Sequence, residues 1–164
     1  MTANNIKSIA IALLGLLFFF SHAHGAVTYE VSSPNEKIKL RVDVGPRIEY
    51  DLLLNQVPVL DNATLALDIE HRKLGVEPQV LSSTPQAVNR ELRVPVPQKF
   101  ATLREHYNEL RVVFKDNYTV VFRVYNEGMA YRFETSLPQP TVKVYDEEAT
   151  LNFAGNFHVY YPKE

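Results

Sequence analysis

The chain has 164 residues, with 17 Lys and Arg against 19 Asp and Glu, and neither Cys nor Trp. A formal charge of −2 gives no electrostatic reason to expect nucleic acid or an anionic membrane as partner. The missing thiols exclude disulfides, iron–sulfur ligation and a cysteine nucleophile, so stability has to come from the core, a metal or a larger context. At the N-terminus a single base, Lys7, precedes the apolar run Ile9 to Phe20, and Ser21-His22-Ala23-His24-Gly25 follows. Twelve residues are short for crossing ~30 Å of hydrocarbon as a helix, but they suit the apolar region of a signal peptide. Ala23 and Gly25 are small residues placed for cleavage before Ala26. The expectation is a signal peptide over residues 1–25, an exported (periplasmic or secreted) protein, and one domain over residues 26–164 with no membrane contact after cleavage.

From Ala26 onward the pattern is that of strands. Val27 to Val31 alternates, and Ile38 to Val44 is a clean period-2 segment with its charges on one face. Ile48, Tyr50, Leu52 and Leu54 repeat the alternation after Gly45-Pro46, and Asn55-Gln56 reads as a turn before Val57 to Leu60. Leu65, Leu67 and Ile69 suggest a further short strand. Alternation fades from Glu70 to Arg90, where Pro78 and Pro85 predict a long loop on a sheet rim. Leu92 to Val96 carries Pro95, which restricts it to an edge or a strand end. Leu103, Tyr107 and Leu110 have helical spacing, but the segment continues as strand through Phe114. Three strands in succession are predicted next, Glu109 to Phe114, Thr119 to Tyr125 and Met129 to Thr135, joined by Lys115-Asp116-Asn117 and Asn126-Glu127-Gly128. Gly128 stands where a three-residue loop calls for a left-handed residue. Val142 to Tyr145, Ala149 to Phe153 and Phe157 to Tyr161 complete an all-β, antiparallel sandwich.

Chemical motifs are few. His71, His106 and His158 have no metal-ligand spacing, and His22 and His24 fall in the leader. Asp146-Glu147-Glu148 lacks the spaced oxygens of a calcium loop and reads as a solvated turn. Glu105 and Glu109 are the obvious carboxylate pair, yet nothing in the sequence sets them at the ~5 Å or ~6.5–9.5 Å that glycoside hydrolysis requires. Asn62-Ala63-Thr64 and Asn117-Tyr118-Thr119 match the N-glycosylation pattern. Nucleophile elbow, phosphate loop and dinucleotide fingerprint are all missing.

Five segments occur in order and spacing: Ser33-Pro34-Asn35-Glu36-Lys37-Ile38; Arg104-Glu105-His106-Tyr107-Asn108-Glu109-Leu110; Phe122-Arg123-Val124-Tyr125-Asn126-Glu127-Gly128; Tyr131-Arg132-Phe133-Glu134; and Phe153-Ala154-Gly155-Asn156 before Tyr161-Pro162. In these the chain resembles the N-terminal domain of glycoside hydrolase family 97, over essentially all of residues 26–164. The resemblance implies a sandwich of the galactose-mutarotase-like (supersandwich) type, here incomplete. In the family this domain precedes a (β/α)₈ catalytic barrel and a small β domain, in exported, calcium-dependent α-glucosidases and α-galactosidases. Pro97-Gln98-Lys99 stands where the family has Trp-Gly-Glu, and Tyr160 where it has Trp. The family's calcium-binding glutamate of this domain lies several residues beyond the aromatic-proline motif, so Glu164, two positions after Pro162, is not its equivalent. The resemblance places the catalytic carboxylates in the barrel. No catalytic or metal residue is therefore assigned in this chain, no binding residue is known, and calcium belongs to the full-length family. The expected partners are that barrel and an α-linked glucose or galactose oligosaccharide. The chain by itself is expected to be inactive. The alternatives are a stand-alone carbohydrate-binding or adhesion module, or the non-functional remnant of an interrupted gene.

Overall fold

The computed structural model describes residues 26–70, 72–93, 95–96, 101–158 and 160, and every regular element among them is a β-strand. β1 (Val27–Ser32), β2 (Ile38–Val44), β3 (Ile48–Leu54) and β4 (Val57–Ile69) form an antiparallel meander. The short β5 (Arg72–Leu74) pairs with β4, and β10 (Val144–Ala149) closes this six-stranded sheet on the other side of β4. β6 (Val80–Arg93), β7 (Thr102–Phe114), β8 (Tyr118–Tyr125) and β9 (Met129–Thr135) form a second, four-stranded antiparallel sheet in sequence order. The β-sandwich expected from the alternation is the observed fold.

Alternate residues of the two sheets make the core. Leu40, Val42, Ile48, Tyr50 and Leu65 of the first sheet pack with Leu110, Val112, Phe114, Val120, Phe122 and Val124 of the second. Phe114 and Tyr118 stack at 4.6 Å beside the β7–β8 turn. Each such side chain contributes roughly 1.5–3 kcal/mol by leaving water, which offsets chain entropy in a domain with no disulfide. Met129, Tyr131 and Phe133 of β9 pack on this core, and Ala130 and Arg132 point out.

The strand path sorts the connections into two ends. At one end lie the β2–β3 turn, Glu70 and the segment from Arg72 to Gln79, the β7–β8 turn and the β9–β10 crossover, linked by hydrogen bonds such as Glu77 N–H to Pro46 O and Ser136 N–H to Asn117 O. At the other end lie the β1–β2 and β3–β4 turns, the β8–β9 turn and the far ends of β6 and β7. Residues 152–154 run beside Val59 to Asp61 toward that same end, with Phe153 bridging to Leu60.

Several expectations need correction. Residues 70–90 are not a long loop: β5 and the 14-residue β6 occupy most of them. β6 is an edge strand with nearly all side chains exposed, so no buried face imposed an alternation to read, and Pro85 is tolerated because only one side of the strand is paired. β7 starts at Thr102 and β4 is one 13-residue strand, its two halves joined through register shifts at Tyr50/Leu52 and Leu52/Leu53 of its partner. Asp146-Glu147-Glu148 is strand rather than turn. Beyond Ala149 only the bridge at Phe153 remains of the strand expected there, and Phe157, His158 and Tyr160 are not in a strand. Gly128 is not left-handed; among the described residues the positive-φ glycine is Gly75 (φ 88°), and Asn117 (φ 58°) takes that conformation in the β7–β8 turn. The expected signal peptide, His71, Pro97-Gln98-Lys99, Tyr161-Pro162 and Glu164 lie outside the described residues.

Candidate functional site

The polar residues of the family-like segments converge on the outward face of the four-stranded sheet. Strand alternation sends Leu110, Phe122, Val124, Tyr131 and Phe133 inward, and it sends Tyr107, Glu109, Arg123, Tyr125, Arg132 and Glu134 outward. Register sets Glu109 opposite Arg123, and Arg123 Nε donates to Glu109 Oε2 at 2.7 Å. The same guanidinium lies 4.5 Å from the ring centre of Tyr107, which also meets Tyr125 at 5.0 Å. Arg111 grips Glu134 with both terminal nitrogens, at 2.6 and 3.4 Å, and Arg132 Nε reaches Glu134 at 2.8 Å. Val121, the cross-strand partner of both Arg111 and Arg132, is buried on this outward face. Those arginines flank it on either side, and both of their heads bind Glu134.

The result is a closed set of charges. The Arg111 hydrogen bond, followed by that of Arg132, holds the Glu134 carboxyl below its ordinary value against the opposing effect of burial. Glu134 in turn raises Arg111. Half-exposed pairs of this kind contribute roughly 0–1 kcal/mol each and mainly fix strand register. Glu109 is only 5% exposed, and Arg123 is what makes its burial tolerable.

The asparagines of the same segments join the sheets at one end. Asn126 Oδ1, in the β8–β9 turn, accepts from Asn35 N–H of the β1–β2 turn at 3.0 Å. Asn35 Oδ1 accepts from Ser33 Oγ and Lys37 N–H, and Ser33 Oγ accepts from Ile38 N–H. Asn108 Nδ2 of β7 donates to Ser32 O at 2.8 Å. Their partners lie in turns and strands distant in the chain, which the sequence alone does not pair. The signal was the asparagine in each segment, since buried or tightly turned backbone groups need such donors and acceptors.

The candidate catalytic and metal residues do not assemble. Glu105 and Glu109 share a face of β7, but four residues of strand separate them by roughly 13 Å. Each has its own arginine, Arg90 for Glu105 and Arg123 for Glu109. Glu147 accepts from the Tyr131 hydroxyl at 2.7 Å, across the edge between the sheets. Glu148 points to the other face, where it pairs with Arg47 and Lys73 and accepts from Thr64. Lys73 first, then Thr64 and Arg47, hold its carboxyl below the ordinary value. A donor set divided between two faces, with Glu148 already neutralised by Arg47 and Lys73, does not fit calcium. No group of three or more His, Cys, Asp or Glu among the described residues is arranged for a metal. His106 lies on β7 and His158 beyond Phe157, in separate places. Asn62 and Asn117 both have positive φ, at a strand irregularity and a turn.

Comparison with known proteins places this arrangement. The model of the family described as Glycosyl-hydrolase 97 N-terminal matches residues 31–164. A retaining alpha-galactosidase of Bacteroides thetaiotaomicron is 31% identical over 113 residues, which is 68% of this chain and 17% of that protein. Among solved structures, a Glycoside Hydrolase Family 97 enzyme from Pseudoalteromonas sp. strain K8, seen in complex with panose and with acarbose, superposes with a TM-score of 0.66 at 19% identity. The match covers 77% of this chain and 20% of that one. A beta-arabinopyranosidase superposes at 0.67, again with 19% identity, over 76% of this chain and 21% of its own. The chain spans about one-fifth or less of these proteins, and the structural likeness is one of fold.

Proposed function

The chain belongs to glycoside hydrolase family 97 through that family's N-terminal domain, and from this premise we propose that it is the supporting β-sandwich of an exported α-glycosidase-like protein whose catalytic domain lies outside these 164 residues. The observation that carries the reading is the disposition of its carboxylates. Glu105, Glu109, Glu134 and Glu148 are each bound to arginine or lysine, Glu109 and Glu134 both against the Arg111 guanidinium, and Glu105 and Glu109 stand too far apart along β7 for the acid and nucleophile or base of glycoside hydrolysis. Tyr107 offers no platform for a sugar ring, since it is 2% exposed beneath Arg123. In this reading an α-linked glucose or galactose oligosaccharide engages the catalytic domain, calcium belongs to the full-length protein, and residues 1–25 direct export.

The full chain, purified with and without added calcium, is assayed on aryl α-galactosides and α-glucosides. No sugar release above a mock preparation is expected, and release well above it overturns the supporting role. Export is tested separately by N-terminal sequencing of the protein recovered from outside the cytoplasm. Ala26 is the expected first residue; a retained Met1 overturns the leader.

A further inference from the structure

Where the β2–β3 turn meets the segment after Gly75 there is a groove of about 320 Å³, lined by Gly45, Pro46, Glu77, Pro78 and Gln79. Backbone bonds tie its walls together. Glu77 N–H donates to Pro46 O at 2.8 Å, Gly45 N–H donates to Arg47 O at 3.0 Å, and Arg47 bridges to Val76. Glu77 holds a left-handed backbone (φ 46°), which few residues with a Cβ adopt, so its surroundings impose its place beside Pro46.

The lining is one-sided in its chemistry. It offers one carboxylate, Glu77, and one amide, Gln79, between two prolines, and none of the five residues is a base. The Glu77 side chain has no ion pair or hydrogen bond among the described residues. Charges near it are engaged elsewhere: Arg47 and Lys73 with Glu148, and Asp43 with Thr28. Lys115 of the β7–β8 turn reaches Gln79 Oε1 at 3.3 Å, with Asp116 next to it in the same turn. A compact cation is the ligand such a lining lacks.

β1 leads to this groove. Val27 is the cross-strand partner of Val44, so Ala26 lies opposite Gly45, and a Cβ at Gly45 would stand 3.6 Å from that of Ala26. Hydrolysis of the Gly25–Ala26 bond adds water across it, leaving a carboxylate on Gly25 and, with the proton taken up, an ammonium on Ala26. We propose that the groove is the seat of the mature N-terminus, where the α-ammonium released on Ala26 is held by the Glu77 carboxylate between Pro46 and Pro78. The ligand is a primary ammonium supplied by the chain itself. β1 is the edge of its sheet, and the ion pair pins its first residue. With the leader retained, an uncharged peptide nitrogen stands there instead. The inference rests on the export reading and adds what cleavage does to the fold.

The test uses the chain recovered after export and, for comparison, the full chain keeping Met1. Carbon-13 alanine labelling lets the Ala26 methyl resonance report the titration of its own α-amine. A midpoint of about 8.5 or above is expected, against the ordinary ~7.7–8.0, returning to the ordinary value in Glu77→Gln. Glu127→Gln, an exposed carboxylate lost at the opposite end, should leave it raised. A raised folded value means that the pin is complete below the unfolded value and is lost as pH rises through the folded one. The urea midpoint of the exported chain should therefore fall more between pH ~8 and ~9.5 than that of its Glu77→Gln variant. The full chain keeping Met1 should show no such difference. If Ala26 is the first residue yet titrates ordinarily, or stays raised in Glu77→Gln, the groove assignment is overturned and export stands. A first residue elsewhere near Ala26 has the same consequence. Recovery of a chain that still begins at Met1 overturns both.

Discussion

The two ends of this sandwich are made from the same kinds of residue and finished differently. The end holding Gly75 is sewn to the core by backbone: Ile48 N–H bonds Gly75 O, Gly75 N–H donates to the Tyr118 hydroxyl, and Glu77 N–H bonds Pro46 O. Burial pushes that tyrosine up to about 12, so its hydroxyl stays a neutral hydrogen-bonding group across ordinary pH. The other end is held by asparagine side chains in the middle and leaves apolar pairs uncovered on either side. Those pairs are Leu54 with Val57, Leu92 with Leu103, and Phe153 with Phe157.

The largest effect should come from Gly75. A Cβ built there would sit 2.6 Å from Leu65 O and 3.2 Å from Ala66 Cα, on a backbone with φ of 88°. Gly75→Val is expected to cost about 3 kcal/mol or more, from strain together with the clash, and urea titration of the full chain measures it. A midpoint within error of the parent would mean that this end is not fixed by the glycine.

Acid separates the ends next. The Glu148 carboxyl, tied to Lys73, Thr64 and Arg47 at the Gly75 end, and that of Glu134 both lie below the ordinary 4.5 when folded. Their contribution is complete above pH ~4.5 and is lost as pH falls through the folded values. The Asn35–Asn126 tether has no group that titrates in this range. The urea midpoint should therefore fall on acidification below pH ~4.5, and Glu148→Gln should flatten part of that slope. By contrast, Asn126→Ala should lower stability by about 1 kcal/mol at every pH and leave the slope unaltered, since it removes one hydrogen bond between turns.

Gly128→Val should have the smallest effect, within about 0.5 kcal/mol, because nothing lies within 4 Å of the Cβ position and the backbone is not left-handed. Comparing the urea midpoints of Gly75→Val and Gly128→Val ranks the two glycines directly. Equal losses would contradict the difference between the ends.

How much was legible can be traced residue by residue. β2 and β3 were readable to the residue because one face is buried and the other charged, as in Ile38 to Val44. The β8–β9 hairpin was readable to within one residue, β8 beginning at Tyr118 rather than Thr119. β6 was not, since exposure on both faces removes the period-2 signal. Gly128 looked like the strained glycine because it follows Asn126-Glu127, whereas Gly75 lies in a stretch without a pattern. The role of Glu109 was hidden too: whether a carboxylate in a strand is solvated or buried depends on its cross-strand partner, and Arg123 is 14 residues away.

What the sequence determined by itself is the all-β antiparallel fold, most of its strands and the likeness to the family 97 N-terminal domain, because alternation and turn residues are local properties that a single strand displays. What only the tertiary structure decided is which charges neutralise one another, which asparagines tie the sheets, where backbone strain sits and which end of the sandwich is left uncovered. Each of these depends on register between strands far apart in the chain, and register is set by the packing of two whole sheets rather than by any one segment.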